Sequence, residues 1–203
     1  MRPNEYGELP GDICCQRSAG ERCFEHSGDE SIASLYGTPA YTRYQVIRHD
    51  EQLDTHAHLP FLRSVAKGNV LEIGVHCGIS TTALLAGLEE NGGHLWSIDV
   101  HPSCRYVWYG HPQWTFYCPW SGDKPQPDLP LDLLFIDGDH SYEGVMSDLN
   151  WFHMMREGGL ILCHDANTPS FPGVRKAIDE FCNRHGLKHE LRPGSHGLEV
   201  IYV

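Results

Sequence analysis

From Asn69 onward the chain alternates short apolar runs with helical segments, and no other feature of the sequence constrains its fold as strongly. Asn69–Val75 (NVLEIGV), His94–Val100 (HLWSIDV), Trp114–Cys118 (WTFYC), Leu131–Asp137 (LDLLFID) and Leu160–His164 (LILCH) read as strands buried on both faces. Between them, Ser80–Glu90 reads as a helix ended by Asn91-Gly92-Gly93. Tyr142–Arg156 reads as a second helix, with Val145, Leu149 and Phe152 on one face, Ser141 as its N-cap and Gly158-Gly159 closing it. Val174–His185 is a helix stopped by Gly186, and Lys188–Leu191 and Leu198–Val203, joined through Pro193-Gly194, read as a closing pair of strands. Strands alternating with helices of about 10–15 residues imply βαβ units, hence an α/β fold with a largely parallel sheet and helices on both faces. Such sheets bind ligands beyond the carboxyl ends of their strands, at the topological switch point. Chemistry-bearing residues should therefore follow the strands, and the unusual polar residues of this chain do.

Before that region the pattern is weaker. Residues 1–50 are polar, rich in Gly, Pro and Cys, and without sustained periodicity; Leu53, His56, Leu59 and Leu62 then fall at near-helical spacing, with Pro60 expected to kink or end that stretch. The expected division is an extension over 1–60, serving as a lid or a subunit contact, and a catalytic domain over 61–203. A homo-oligomer stays open on this reading.

Charge and composition narrow the partners. Fifteen basic against 27 acidic residues give a net charge of −12, only four of the basic residues are lysine, and no basic cluster occurs. Such a surface repels phosphate backbones and anionic lipid, so neither nucleic acid nor a membrane is expected. No apolar run approaches the ~18 residues of a membrane span, and Met1–Gly11 has no apolar h-region of a secretory signal. The eight cysteines include no CxxC pair, and Cys77 and Cys163 sit in apolar runs; reduced thiols in a cytoplasmic protein are the expectation. Cys14, Cys15 and Cys23 are closely spaced, but the spacing matches no zinc pattern.

Four stretches at the strand ends carry the chemistry. Glu72-Ile73-Gly74-Val75-His76-Cys77-Gly78-Ile79-Ser80-Thr81 runs from strand to helix, with Gly74 and Gly78 allowing a tight turn beneath a helix N-terminus. It is not GxGxxG, because His76 stands where a middle glycine would expose bare backbone to a pyrophosphate. Glu72 offers a carboxylate beside the loop, which suits a cationic amino group better than a phosphate. Asp99 closes the second strand, placed to accept the hydroxyls of a ribose. Asp137-Gly138-Asp139-His140 closes the fourth, and Cys163-His164-Asp165 the fifth. Adjacent strands lie ~4.8 Å apart, so Asp137 and Asp165 are expected to converge on a hard divalent ion such as Mg²⁺, with His164 able to support Mn²⁺ or Zn²⁺ instead. The plainer alternative is that Asp137 and Asp139 are turn-formers and helix caps, a reading that fits Asp139 better than Asp137.

Taken together, LEIGV, GHLWSID, HPQWTF, LLFIDGDHSYEGV, GGLILCHDA and PSFPGVRKAID resemble the class I S-adenosylmethionine-dependent methyltransferases, in the metal-dependent small-molecule O-methyltransferase branch. The resemblance is to the class 24, catechol and sugar O-methyltransferase-like enzymes and covers roughly residues 65–203. It implies a Rossmann-like seven-stranded, mostly parallel sheet with an antiparallel last strand, in three α/β/α layers. It implies S-adenosyl-L-methionine as cofactor, a divalent metal, Mg²⁺ in the first instance, and a small hydroxylated metabolite as methyl acceptor. Carried over position by position, the cofactor contacts are Glu72, Gly74, His76, Gly78, Ser80, Thr81, Asp99, Trp120, Ser121 and Asp137. The implied metal ligands are Asp137, His164 and Asp165, where the family's usual Asp-Asn or Asp-Asp pair meets His164-Asp165 in this chain. The general base is Asp139 or His140. Two rivals remain: a nicotinamide-dependent oxidoreductase, against which His76 speaks, and a binding module without turnover, against which the paired Asp137 and Asp139 speak.

Overall fold

The computed structural model describes residues 39–203; Cys14, Cys15 and Cys23 lie outside this range, so nothing structural bears on their spacing. Seven strands form one sheet in the order β3-β2-β1-β4-β5-β7-β6. They are β1 (Gly68–Ile73), β2 (Gly93–Ile98), β3 (Trp114–Tyr117), β4 (Leu131–Ile136), β5 (Met155–Cys163), β6 (Lys188–Arg192) and β7 (Leu198–Tyr202). β1 to β5 are mutually parallel and β7 runs antiparallel to both β5 and β6, as the sequence led one to expect. The chain winds outward from β1 through β2 to β3, then restarts on the other side of β1 with β4 and β5. The switch point is therefore the β1/β4 junction, and a cleft must open above it.

Alternation along the strands divides the core in two. Val70, Leu133, Phe135 and Leu162 face one way, with α1 (Ala40–Ile47), α2 (Leu59–Val65) and α3 (Ile79–Asn91). Leu71, Leu134, Ile136 and Ile161 face the other way, with α4 (Tyr142–Asp148) and α5 (Pro172–His185). α3 is buried on every side from Ser80 to Leu88, wedged between the sheet and α1 and α2, which is why that stretch carries no charged residue. α5 covers the opposite face at the edge, and its buried Val174, Ala177, Ile178, Phe181 and Cys182 trace the i, i+3, i+4 stripe of an amphipathic helix. Among the described residues no helix is long and apolar enough to cross a membrane.

Two expectations are corrected here. The helix expected over Tyr142–Arg156 is α-helical only to Asp148 and continues as a 3-10 turn over Leu149–Met154. Gly158-Gly159 do not end it; they lie inside β5, where Gly158 (φ 78°) donates to the Val203 carbonyl and the Gly159 carbonyl accepts from the Val203 N–H. The glycines let the strand bend toward the chain's end while its ladder closes. Pro60 likewise begins α2 instead of ending a helix, because in the first turn its missing N–H breaks no hydrogen bond.

Candidate active site

At the end of β1 the chain turns through Gly74, whose φ of 94° is in the left-handed region. A methyl group there would collide with the carbonyl of Asp137 at the end of β4, so only glycine lets the two strand ends close up. Gly78 (φ 74°) then starts α3. Asp99 holds this loop from β2: its Oδ2 accepts the N–H groups of Val75 (2.9 Å) and His76 (3.0 Å), and its Oδ1 that of His101 (2.8 Å). Those bonds fix His76 at a φ of 45°, an unusual conformation for a side-chain-bearing residue.

Glu72 does something different from what its position suggests. Its side chain is wholly buried under α3 and accepts hydroxyl hydrogen bonds from Ser80 (2.7 Å), Thr81 (2.9 Å) and Ser97 (2.6 Å). Burial pushes its carboxyl up to about 7, against the lowering effect of those three hydroxyls. Glu72 does not line the cleft, and neither does Thr81. A carboxylate aimed at a ligand's amino group is thus corrected to one that ties β1, β2 and the start of α3 together.

Above β4 and β5 the carboxylates meet histidines. Asp137 Oδ1 lies 3.4 Å from His140 Nε2 and 3.3 Å from His164 Nδ1. Asp165 Oδ2 lies 3.2 Å from the same His140 nitrogen and 3.5 Å from the same His164 nitrogen. One donor atom each from Asp137, His140 and Asp165 lie within 4.8 Å of one another, the spacing of a candidate cation site. Burial would raise the Asp137 pKa, but His164 and His140 hold it well below the carboxylate range. Burial would lower that of His164, yet Asp137 and Asp165 push it up to about 11. The His164 ring is buried, with Nε2 2.9 Å from the Ser195 carbonyl, while its Nδ1 makes no hydrogen bond.

A cavity of about 620 Å³ joins the two halves. Gly74, His76, Ser80, Asp99, Asp137, Asp139, His140 and Asp165 all line it, together with Asp54, Asp148 and His196. Its size is that of a small-molecule site, and no described lysine or arginine lines it. Asp139 sits at the exposed rim with Oδ1 accepting the Ser141 N–H (2.9 Å), which holds its pKa below the usual value. Ser141 in turn caps α4, its Oγ accepting the Gly144 N–H. Trp120 and Ser121, expected beside the adenine, are not on the wall: Pro119 is, and Trp120 is 75% exposed, its ring lying edge-on to His101.

Among the wall residues that escaped the sequence reading, His196 and Asp148 bear directly on the carboxylates. His196, in the turn before β7, places Nδ1 3.1 Å from Asp165 Oδ1, a contact across 31 residues that no spacing rule anticipates. Asp148 ends α4 beside the cavity, and burial, then repulsion from Asp139, raises its carboxyl to about 7. Nothing in the local sequence separates it from a solvated helix residue.

Residues 71–166 match a family model described as "Methyltransferase domain". Among solved structures, an O-methyltransferase from Bacillus cereus in complex with SAH (S-adenosylhomocysteine) superposes with a TM-score of 0.57 at 15% identity, over 86% of this chain and 91% of that one. The SAH-bound methyltransferase PaMTH1 of Podospora anserina gives 0.55 at 14% identity, over 85% and 87%. The O-methyltransferase NovP gives 0.55 at 16% identity, over 85% and 97%. At such identities the superpositions establish a shared fold, and it is the Rossmann-like fold of these enzymes.

Proposed function

We propose, from the match of residues 71–166 to the methyltransferase-domain model, that the chain moves a methyl group from S-adenosylmethionine to a hydroxyl oxygen of a small molecule, with a divalent cation at the acceptor. One observation carries the reading: a single cavity at the switch point is walled on one side by the loop of Gly74, pinned by Asp99, and on the other by the Asp137–Asp165 cluster.

The residues present fit both groups. On the cofactor side the loop backbone approaches the cleft without side-chain obstruction at Gly74, and the first-turn N–H groups of α3 have no acceptor within their own helix. Asp99 has accepted three N–H bonds and, with roughly four lone pairs, keeps capacity for a ribose hydroxyl. The wall lacks described cations and carries several carboxylates, an electrostatic setting that favours a sulfonium over its neutral product. On the acceptor side two carboxylate oxygens and an imidazole nitrogen converge, and the buried His164 Nδ1 has no hydrogen-bond partner. Asp137, Asp165 and His140 would hold the cation.

Methyl transfer is an in-line displacement, so positioning of the two reactants supplies much of the acceleration. When bound, a divalent cation supplies Lewis acidity that lowers the pKa of a hydroxyl held on it. Asp137 and Asp165, with His140, would hold that cation on the wall of the cavity that faces the loop of Gly74. Of the two candidate bases, His140 is engaged with both carboxylates, which leaves Asp139 at the rim, ionised near neutral pH, to collect the proton.

Calorimetric titration with S-adenosylmethionine tests this reading. Wild type should bind one equivalent with a Kd in the micromolar range, and Asp99→Ala should weaken it by about 10-fold or more, the loss of one charge-assisted hydrogen bond and of the loop's anchor. No binding to wild type at millimolar cofactor would overturn it.

A further inference from the structure

At the end of α4 the cavity wall carries a carboxyl to which no described residue donates a hydrogen bond. We propose that this residue, Asp148, reads the base of the cofactor, its carboxylate accepting a hydrogen bond from the exocyclic amino group of adenine. The inference rests on the preceding reading in that S-adenosylmethionine enters this cavity. It gives the adenine edge to α4 and not to the turn of Trp120 and Ser121.

Three observations carry it. First, Asp148 stands apart from the strand-end carboxylates. Asp99 accepts three backbone N–H groups, Asp139 accepts that of Ser141, and Asp137 and Asp165 face histidine nitrogens. Asp148 is half-buried, and what acts on it is burial, then repulsion from Asp139, which push its carboxyl up to about 7. A carboxyl withdrawn from water without a donor destabilises the empty protein, so a ligand that brings the donor gains a hydrogen bond no protein group has to give up. Second, the carboxyl lies where a base would reach from the ribose site. A methyl group on Gly138 would stand 3.6 Å from Asp148 Oδ2 and 3.3 Å from Ile73, which puts the carboxyl over bare backbone just past β4, next to β1. Ile73 is the register partner of Ile98, the residue before Asp99, and both line the cavity. An apolar floor thus runs from Asp99 across β2 and β1 to Gly138 and Asp148. Neighbouring strands lie ~4.8 Å apart, so the two steps from β2 to β4 cover about 10 Å, the span of a nucleoside from its sugar hydroxyls to the far edge of its base. Third, Trp120 and Ser121 leave the wall after β3 to Pro119, which has no polar side chain to offer that edge.

The chemistry of the pair selects the base. A carboxylate carries only lone pairs, so it needs an edge that bears hydrogens, and the exocyclic amino group of adenine is such an edge. Hypoxanthine has a carbonyl at the same position and would set lone pairs against lone pairs. A site built on a hydrogen bond rejects the analogue that lacks the group, because a buried polar atom is then left unpaired. Two rival roles exist for Asp148, one serving only the fold and one serving the methyl acceptor. Binding of the demethylated cofactor by itself separates both from base recognition.

Full-length wild type, Asp148→Asn and Asp148→Ala are titrated calorimetrically, without any methyl acceptor, with S-adenosylhomocysteine and with S-inosylhomocysteine, which has a carbonyl in place of the adenine amino group. Wild type should prefer the adenosyl ligand by about 10–100-fold, the worth of one hydrogen bond to a charged group. Asp148→Asn should hold the adenosyl ligand within about fivefold of wild type, because its amide oxygen still accepts. It should also bring the two ligands within about threefold of each other, because its NH2 group turns to the carbonyl. Asp148→Ala should weaken the adenosyl ligand about 10-fold or more and erase the preference. In urea denaturation both variants should be at least as stable as wild type, since the carboxyl has no hydrogen-bond donor among the described residues to lose. A wild type without preference, a ligand ratio unmoved in both variants, or lost stability in place of a moved ratio would each overturn the proposal. Those outcomes spare the methyltransferase reading as long as wild type binds S-adenosylhomocysteine. If it binds neither ligand, that reading falls and this inference with it.

Discussion

The two sides of the switch point are both acidic, yet their carboxylates live in opposite conditions. On the β1–β2 half, every carboxylate oxygen has a donor: Glu72 takes three hydroxyls and Asp99 three backbone N–H groups. On the β4–β5 half, Asp137 and Asp165 face the nitrogens of His140 and His164 at 3.2–3.5 Å, and a buried ring nitrogen has no hydrogen bond at all. The first half is held together by protein donors, with Asp99 keeping spare lone-pair capacity. The second is complete only with a cation, whether a proton or a metal. Counting acidic residues at a rim therefore says little; whether each lone pair is already spoken for says which of them await a ligand.

The comparison can be broken most directly at Asp137. Asp137→Asn should abolish ion binding and reduce methyl transfer by about a thousandfold, roughly 4 kcal/mol of lost transition-state stabilisation, with a smaller loss of folding stability from the broken His164 ion pair. Stopped-flow or discontinuous assays with labelled S-adenosylmethionine would measure the first, and urea denaturation the second. A folding defect as large as the activity loss would mean that this half too is scaffold.

At Glu72 the pattern should invert, with large structural and small chemical effects. Glu72→Ala strands three hydroxyls around a cavity and should destabilise by about 3 kcal/mol in urea denaturation. Glu72→Gln keeps the contacts and removes the titration. Because the folded-state pKa near 7 lies above the value of an unfolded glutamate, the folded protein holds the extra proton in that interval. Wild-type stability is thus fully present below about pH 4.5 and declines as pH rises toward 7, whereas the glutamine variant should lack that component. The two stability–pH curves should diverge between pH 5 and 8; parallel curves would show that Glu72 is ionised in the folded protein throughout. The smallest effect is expected at Trp120, whose exposed ring lies off the wall. Trp120→Ala should change the cofactor Kd by less than about threefold, within the range of ordinary surface substitutions, and a larger change in calorimetry would bring this residue back to the site.

Much of this was legible in advance. The five apolar runs, the closing strand pair and the glycine turn specify the order of elements, because strand length, hydrophobic continuity and turn chemistry are local properties. The strand-end rule picked out Asp99, Asp137 and Asp165, since β1, β2, β4 and β5 are parallel neighbours and their ends must share a rim. What misled was the side chain's direction. Glu72 and Gly74 are two positions apart, and at that point the chain leaves the pleat; one residue enters the core and the other borders the cleft. Gly158-Gly159 read as a helix stop because glycine pairs punctuate helices and bend strands alike, and only the pairing with Val203 distinguishes the two. Trp120 follows the right strand, but a 3-10 turn carries its ring outward.

By itself, then, the order of residues determined which segments become strand or helix and which strand ends carry carboxylates, because both depend on neighbours along the chain. The tertiary structure decided which of those carboxylates are satisfied and which stand against histidines. His196 reaches Asp165, and Ser195 orients His164, across 31 positions of chain. Such contacts come from the antiparallel return of β7 beside β5, and hydrogen-bond satisfaction is a property of three-dimensional surroundings that no local pattern encodes.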